Sequence, residues 1–343
     1  MPKSNTYQLS FLVLSLILIL CFFTNISLGS VYIPVKDVFN CLIGSASQQE
    51  TWQHIIQNYR LPKALTAILV GSGLGISGLL MQTLFRNPLA GPFVLGISSG
   101  ASLGVALVIL GSSVFGGVFM SLLISKWSIV IAASLGSFLV LLAVLMVSIK
   151  VRDTMAILII GLMFASITSA IVSVLSYFGS AQQLQQYIFW GFGSLGNLSW
   201  DELFIFFIIY SLGFIVSLAS VKSLNTLLLG ENYAKSLGLN IKRSRLAIII
   251  ATSLLAGTIT AFTGPIAFIG LAIPHLTRQV FNTSNHKILL PAVFLFGAIV
   301  MLVCDSIAQV PNSDYTLPIN AITSLIGAPV VIWLLVRKRK MVF

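Results

Sequence analysis

The chain has 343 residues, of which 57% are hydrophobic and 8% are charged, and it carries a net charge of +11. A globular domain has about 25% charged residues, so this is an integral membrane protein whose apolar runs leave no room for a soluble domain. The basic excess sits in short loops, where it reports orientation in a bilayer. There is no nucleic-acid-binding motif, and Cys21, Cys41 and Cys304 are odd in number, far apart and match no metal spacing.

Lys3 precedes an apolar run long enough to cross as an uncleaved first span, residues 9–28. Residues 29–59 read as a polar loop in which Pro34 opens a short surface helix over 34–43. Arg60-Leu61-Pro62-Lys63 begins the second span, 61–85, dense in glycine at Gly71, Gly73, Gly75 and Gly78. Gly73–Gly78 and Gly191–Gly196 both fit G-x-G-x-x-G. Neither follows a strand of a βαβ unit, so the glycines read as close-packing positions rather than a dinucleotide site. Arg86–Pro92 is a tight turn with two prolines. The third span, 93–110, places Gly96, Gly100 and Gly104 at spacing four, a face for helix packing. A Gly/Ser loop leads to the fourth span, 127–149, and Lys150-Val151-Arg152-Asp153 turns the chain into the fifth, 154–178. Ala181–Trp200 is amphipathic, aromatic and too polar to cross, and fits an interfacial or re-entrant helix with Tyr187, Trp190 and Trp200 at headgroup level. The sixth span is 203–220.

Val221–Arg245 is the most charged stretch of the interior, with five basic residues and one acid between apolar spans. Leu224, Leu227 and Leu228 share a helical face. Asn225 is placed to cap that turn, Gly230 breaks it, and Glu231–Leu237 forms a second short helix stopped by Gly238. Two short amphipathic helices in water make either a docking surface or a solvated loop. Spans seven to ten follow at 246–262, 266–280, 289–310 and 317–336, the eighth being short and broken at Pro274.

Ten spans put both termini on one side. With that side cytoplasmic, fifteen basic residues lie inside, and only Lys36, Arg60, Lys63 and Lys126 lie outside. Arg60 and Arg245 each open a span rich in Gly, Ser and Thr, entering from opposite sides, an echo of the inverted repeats of transporters.

No catalytic constellation is visible. There is no G-x-x-x-x-G-K-[ST] phosphate loop, so ATP is not bound by that means. His54, His275 and His286 lack ligand-like neighbours. Asp305 is the carboxylate found within a span, and it reads as facing a wet interface or capping Ser306. A proton-coupled secondary carrier, the rival transport reading, needs carboxylates in its spans. A membrane-embedded enzyme needs clustered polar residues there. Neither pattern is present, so energy has to come from a partner at the cytoplasmic island.

A series of motifs now becomes specific: Arg60-Leu61-Pro62 with Lys63, Gly78-x-x-Met81-Gln82, Asn87-Pro88-Leu89-Ala90-x-Pro92, and Leu95-Gly96-Ile97-Ser98-x-Gly100-Ala101. Leu229-Gly230-Glu231-x-x-Ala234-x-x-Leu237-Gly238, Phe268-Ile269-Gly270-Leu271-x-x-Pro274-His275-x-x-Arg278, and Leu317-Pro318-x-Asn320 leading to Gly327-Ala328-Pro329 follow in order. Over nearly its whole length the chain resembles the FecCD-type permeases, the membrane subunits of ABC importers for iron-siderophores, haem and vitamin B12.

The resemblance implies an all-α polytopic membrane protein of type II ABC importer architecture. It would be a single transmembrane permease domain over 1–343, multi-pass in the plasma (inner) membrane of a bacterium, with both termini cytoplasmic. It implies a second permease subunit, in a homodimer or a heterodimer, cytoplasmic ABC ATPase subunits and an extracytoplasmic solute-binding protein. This chain would bind no cofactor or metal, and Mg-ATP would be used by the partner ATPase. Gly230, Glu231, Ala234, Leu237 and Gly238 would form the coupling helix within the segment 221–245. Arg60 and Lys63 would meet acidic residues of the binding protein, although Arg is usual at position 63 and Lys lacks its bidentate geometry. Asn87, Leu89 and Thr154 would match the cytoplasmic gate. The loop before Leu317, Pro311-Asn312-Ser313-Asp314-Tyr315-Thr316, departs from the family in having no basic residue. The cargo implied first is an iron-siderophore, with haem or cobalamin as alternatives. Lys242, Arg243 and Arg245 read as a topology anchor for span seven.

Overall fold

The computed structural model describes residues 4–44, 50–111, 125–150, 154–196, 198–311, 313 and 315–336. Those residues are helical or form joints between helices, with no strand among them. Hydrocarbon offers no partner for a peptide group, so a chain this apolar satisfies its backbone within each helix. Hydroxyls inside the spans do likewise, as where Ser77 donates to the Gly73 carbonyl at 2.7 Å and Thr260 to that of Ala256 at 2.8 Å.

In chain order the α-helices are α1 (Ser4–Ser27), α2 (Val35–Leu42), α3 (Glu50–Ile55), α4 (Leu61–Phe85), α5 (Ile97–Ile109), α6 (Lys126–Lys150), α7 (Thr154–Phe178) and α8 (Ala181–Gly191). Then come α9 (Trp200–Ala219), α10 (Val221–Leu227), α11 (Glu231–Ser236), α12 (Ile241–Thr252), α13 (Thr258–Thr263), α14 (Ile269–Phe281), α15 (His286–Ala308) and α16 (Ile319–Val336). Among the described residues, seven stretches are long and apolar enough to cross a membrane: Tyr7–Ser27, Thr51–Phe85, Lys126–Val144, Ile159–Phe178, Trp200–Ala219, Ile241–Thr263 and His286–Ala308. Two shorter apolar helices, Ile97–Ile109 and Ile319–Trp333, accompany them. α14 has 13 residues, about 20 Å of helix against a hydrocarbon core of about 30 Å.

Several joints differ from the sequence-based expectation. Residues 50–60, expected in a polar loop, extend α4 outward as α3 and a π turn, Ile56–Arg60. The cause is Pro62, which has no N–H and whose ring crowds the preceding turn. Leu61 N–H reaches back to Ile56 O, five residues away. The Gln57 carbonyl is thereby left without its usual partner, and the Trp200 indole N–H supplies one at 3.0 Å. The third span is not one helix. A 3-10 turn over Pro92–Leu95 ends at Gly96, φ +75, before α5 begins. The seventh is widened by a π turn at Ser253–Gly257. Asn225 lies inside α10, whose N-cap is Ser220. The Gly/Ser loop before Trp127, the turn at 151–153 and the C-terminal basic run fall outside the described residues.

Contacts group the chain into two compact units. These are not its N- and C-terminal halves, as the echo of Arg60 by Arg245 would suggest. The first comprises Met1–Leu79, Ser194–Ile208 and Ala267–Phe343. In it the α4 glycines admit backbone to backbone: Gly71 meets Gly297 of α15, and Gly78 meets the Gly270 carbonyl of α14. Gly75 lies between Val293 and Ile273. An added Cβ at any of these positions meets a neighbouring atom. Tyr7 and Phe11 of α1 stack and tilt against Phe281.

The second unit comprises Leu80–Gly193 and Ile209–Ile266. Gly100 of α5 packs on the Gly136 carbonyl of α6, and Gly104 on that of Ala132. Gly96, expected on the same face, is instead the left-handed joint residue, set against Val140 and the Gly161 carbonyl. Ala101, Val105, Ile109, Leu110, Ala133 and Leu175 form the adjoining core. α7 turns Ile159, Leu162, Met163, Ile167 and Val174 outward, the apolar face a bilayer covers. α8 opens with a capping box in which Ser180 and Gln183 exchange side-chain and backbone hydrogen bonds.

Candidate functional site

The island Val221–Arg245 folds as two short helices held by glycine joints. Val221, Leu224 and Leu227 of α10 are buried. The helix ends in tight turns, with Leu229 N–H on Thr226 O and Gly230 N–H on Leu227 O. Gly230 then takes φ +100 and ψ 151, a conformation open to glycine and to few other residues. α11 follows with Glu231 in its first turn, where an acid suits the helix dipole. Gly238, φ +83, closes α11: its N–H bonds Lys235 O, and Leu239 N–H bonds Ala234 O. This is the Schellman pattern. Ala234 is fully buried, whereas Tyr233 and Leu237 are exposed by 57% and 59%. The helix therefore sits on its own unit through Ala234 and offers an aromatic and an aliphatic side chain outward.

Six residues cannot hold a helix alone, and Arg245 supplies a tether. Its Nη2 lies 3.0 Å from Glu231 Oε1, with Arg245 only 13% exposed. Arg245 thus anchors α11 to α12, a role beyond the topology anchor read from its charge. Asn240 caps α12, its Oδ1 accepting from Arg243 N–H at 3.1 Å.

The Arg86–Pro92 turn belongs to the same unit. α4 ends with Arg86 N–H on Thr83 O and Asn87 N–H on Gln82 O, again a Schellman pair, but with Arg86 as the left-handed residue at φ +46. Arg86 Nη2 donates to Leu228 O at 3.3 Å. Asn87 Oδ1 accepts from Leu89 N–H at 2.9 Å, and Leu89 is 45% exposed. Thr154, the third expected gate residue, begins α7, and its side chain lies outside the described residues.

Arg60 and Lys63, expected to dock a binding protein, are both engaged within the first unit. Arg60 Nη1 donates to Ile26 O at 2.7 Å and Ser27 O at 3.0 Å, and Nη2 to Val31 O. The guanidinium thereby closes the carbonyl end of α1. Lys63 Nζ lies 3.1 Å from Asp305 Oδ1. Asp305 is only 2% exposed, and its Oδ2 accepts from Asn25 Nδ2 at 2.9 Å and Gln309 Nε2 at 2.8 Å. The reading of Asp305 as a wet or Ser306-capping residue gives way to a buried, fully partnered carboxylate. The signal for it was available: a lone acid in an apolar span needs a partner.

Motif residues far apart in sequence meet at one strained turn of the first unit. Phe268 takes φ +66, with Ile269 N–H on Ala267 O at 2.8 Å. Asn320 Oδ1 accepts from Ala267 N–H at 3.0 Å, satisfying backbone that no helix satisfies. Gly327 leaves room for the Phe268 side chain, and Gly270 presents its carbonyl to Gly78. Among the described residues, no group of three His, Cys, Asp or Glu side chains is placed to hold a metal ion.

The model of the FecCD transport family matches residues 17–337. The hemin transport system permease protein HmuU of Yersinia pestis is 35% identical, over 92% of this chain and 93% of that protein. The vitamin B12 import system permease protein BtuC of Klebsiella pneumoniae is 36% identical, over 95% of this chain and 93% of that protein. A solved structure described as an inward-facing conformation of a metal-chelate type ABC transporter superposes with a TM-score of 0.82 at 32% identity, covering 96% of this chain and 99% of that one. With its family signature running through both compact units, the chain belongs to the FecCD transport family.

Proposed function

We propose that this permease translocates a metal chelate across the plasma membrane of a bacterium, driven by a separate cytoplasmic ATPase and supplied by an extracytoplasmic binding protein. ATP closure of the ATPase pair moves the coupling segment Gly230–Gly238, and paired permease subunits rock to alternate access. The observation that carries the reading is α11 itself. It is bounded at both ends by glycines of positive φ, buried through Ala234, and exposed through Tyr233 and Leu237. Ten crossings are supported by the seven long apolar helices, the two shorter ones and the proline-bearing α14, and cytoplasmic termini by the basic residues of the loops. An iron-siderophore is the first cargo reading. Haem and cobalamin stand beside it, since hemin and vitamin B12 appear in the relatives' names. Asp305, the carboxylate that proton-coupled transport would call on, is held by Lys63 and by the Asn25 and Gln309 amides.

The test is co-purification of the permease with its ATPase. Gly230→Trp is expected to abolish association while membrane insertion persists, and full association in this variant overturns the docking role. On the other face, Arg60→Glu is expected to weaken capture of the loaded binding protein, most at low salt. Lys63→Glu is a poorer probe, because it sets a second carboxylate against buried Asp305. The ligand that co-purifies with the binding protein identifies the cargo.

A further inference from the structure

We propose that Arg86 is the positioning residue that transmits movement of the coupling segment to the turn carrying Asn87 and Leu89. This rests on the reading of Gly230–Gly238 as the ATPase-coupling helix. Arg86 occupies the left-handed position of a Schellman cap, where glycine or asparagine is usual. Both cap hydrogen bonds are made by backbone, Arg86 N–H to Thr83 O and Asn87 N–H to Gln82 O. Glycine would close the helix equally well and without strain. What arginine adds is its guanidinium. Nη2 donates to the carbonyl of Leu228, the C-cap of α10, whose last carbonyls have no partner within the helix. Nη1 stands 3.4 Å from the point a Cβ on Gly230 would occupy. Arg86 therefore touches the joint on which α11 turns.

On the other side of Arg86 the chain is stiff. Asn87 follows directly, its Oδ1 holds Leu89 N–H, and Ala90 N–H bonds Asn87 O at 3.1 Å. A displacement at Leu228–Gly230 is carried through the guanidinium to Arg86 and, across one peptide, to the side chains at 87 and 89. Arg245 holds the first residue of the same helix, Glu231. The coupling segment thus has one tether to the span that follows it and one to the gate turn.

The test uses the assembled transporter, with its ATPase and binding protein, in lipid nanodiscs. Leu89→Cys serves as reporter, with Cys21, the partly exposed native thiol, replaced by Ser. Labelling by fluorescein maleimide is compared between nucleotide-free and ATP–vanadate-trapped states. Arg86→Gly keeps the cap geometry. It is expected to reduce the nucleotide-dependent change in labelling rate at least about threefold, within the range single positions show along coupled networks. ATPase association should stay intact, and Arg86→Lys should restore most of the change. An unaltered change in Arg86→Gly overturns the link. Loss of ATPase association in Arg86→Gly also overturns it, since Arg86 would then only support the docking surface. Failure of the coupling reading itself shows separately, as normal ATPase association in Gly230→Trp.

Discussion

Replacing Lys63 by Met tests whether the Lys63–Asp305 pair is a structural element. The change keeps the side-chain length, and with it the packing of the stem against Gly196, but removes the ammonium 3.1 Å from Asp305 Oδ1. Breaking a buried ion pair on one side costs about 3–5 kcal/mol, because the remaining charge is stranded in a low dielectric. Asp305 keeps two amide donors, Asn25 and Gln309, which places the expected loss near the lower limit, about 3 kcal/mol. The converse change is milder. Asp305→Asn leaves Lys63, 21% exposed, able to turn its ammonium toward water, at about 1 kcal/mol. Lys63→Met with Asp305→Asn removes both charges, leaves an amide among amides, and should lie within about 1 kcal/mol of the parent protein. The cycle therefore yields a coupling energy of about 3 kcal/mol, as expected of groups in direct contact. Equilibrium unfolding of the purified protein in mixed micelles, followed by tryptophan fluorescence during SDS titration, measures all four corners. Additive losses, or a Lys63→Met loss under about 1 kcal/mol, would refute the argument.

Three further outcomes follow from the same geometry. Gly78→Val drives side-chain atoms into the Gly270 carbonyl, and backbone cannot yield as a side chain does, so the loss should reach or exceed the roughly 1–3 kcal/mol usual for overpacking, read as a lowered thermal midpoint in detergent. Gly230→Ala and Gly238→Asn should part company. Position 230 combines φ +100 with the Arg86 guanidinium nearby, whereas position 238 has open space and φ +83, a region asparagine tolerates, so ATPase co-purification should fall in the first and persist in the second. Glu231→Arg or Arg245→Glu alone should weaken that association, and the double exchange should recover it, since the pair is partly buried and geometry rather than sign is what the tether needs.

The helices were legible because hydropathy alone specifies where a chain crosses hydrocarbon: 61–85 and 154–178 coincide with α4 and α7. Their joints were less so. Residues 50–59 carry Glu50, Gln53, His54, Gln57 and Asn58, so hydropathy sees a loop where the helix simply continues past the apolar zone. The π turn depends on one missing N–H at Pro62 and one indole from Trp200, a partner that no local pattern announces. Gly230 and Gly238 could be read directly, because a glycine between two helical runs marks a joint whose positive φ favours it. Lys63 with Asp305, and Glu231 with Arg245, could not. Each is a pairing set by tertiary contact; the family resemblance gave Lys63 a docking role and charge counting gave Arg245 a topological one instead.

The distribution of strain bears on how such a permease can move. Within each unit the spans touch through glycine backbone, Gly71 on Gly297 in one and Gly100 on Gly136 in the other, so sliding one span along its neighbour meets hard contact at once. Flexibility has to reside in the joints, and these hold the unusual backbone: Arg86 and Gly96 in the second unit, Phe268 and Asn282 in the first. Non-helical backbone survives at membrane depth only where protein satisfies it, as Asn320 does for Ala267. A joint of that kind has two requirements in opposition, a partner to hold it and freedom to rearrange. Arg86 meets both, since its cap is made by backbone and its contact with Leu228 by a long, adaptable side chain. The backbone keeps the turn intact while the long guanidinium side chain leaves room for Leu228–Gly230 to shift, the division of labour that the proposed transmission requires.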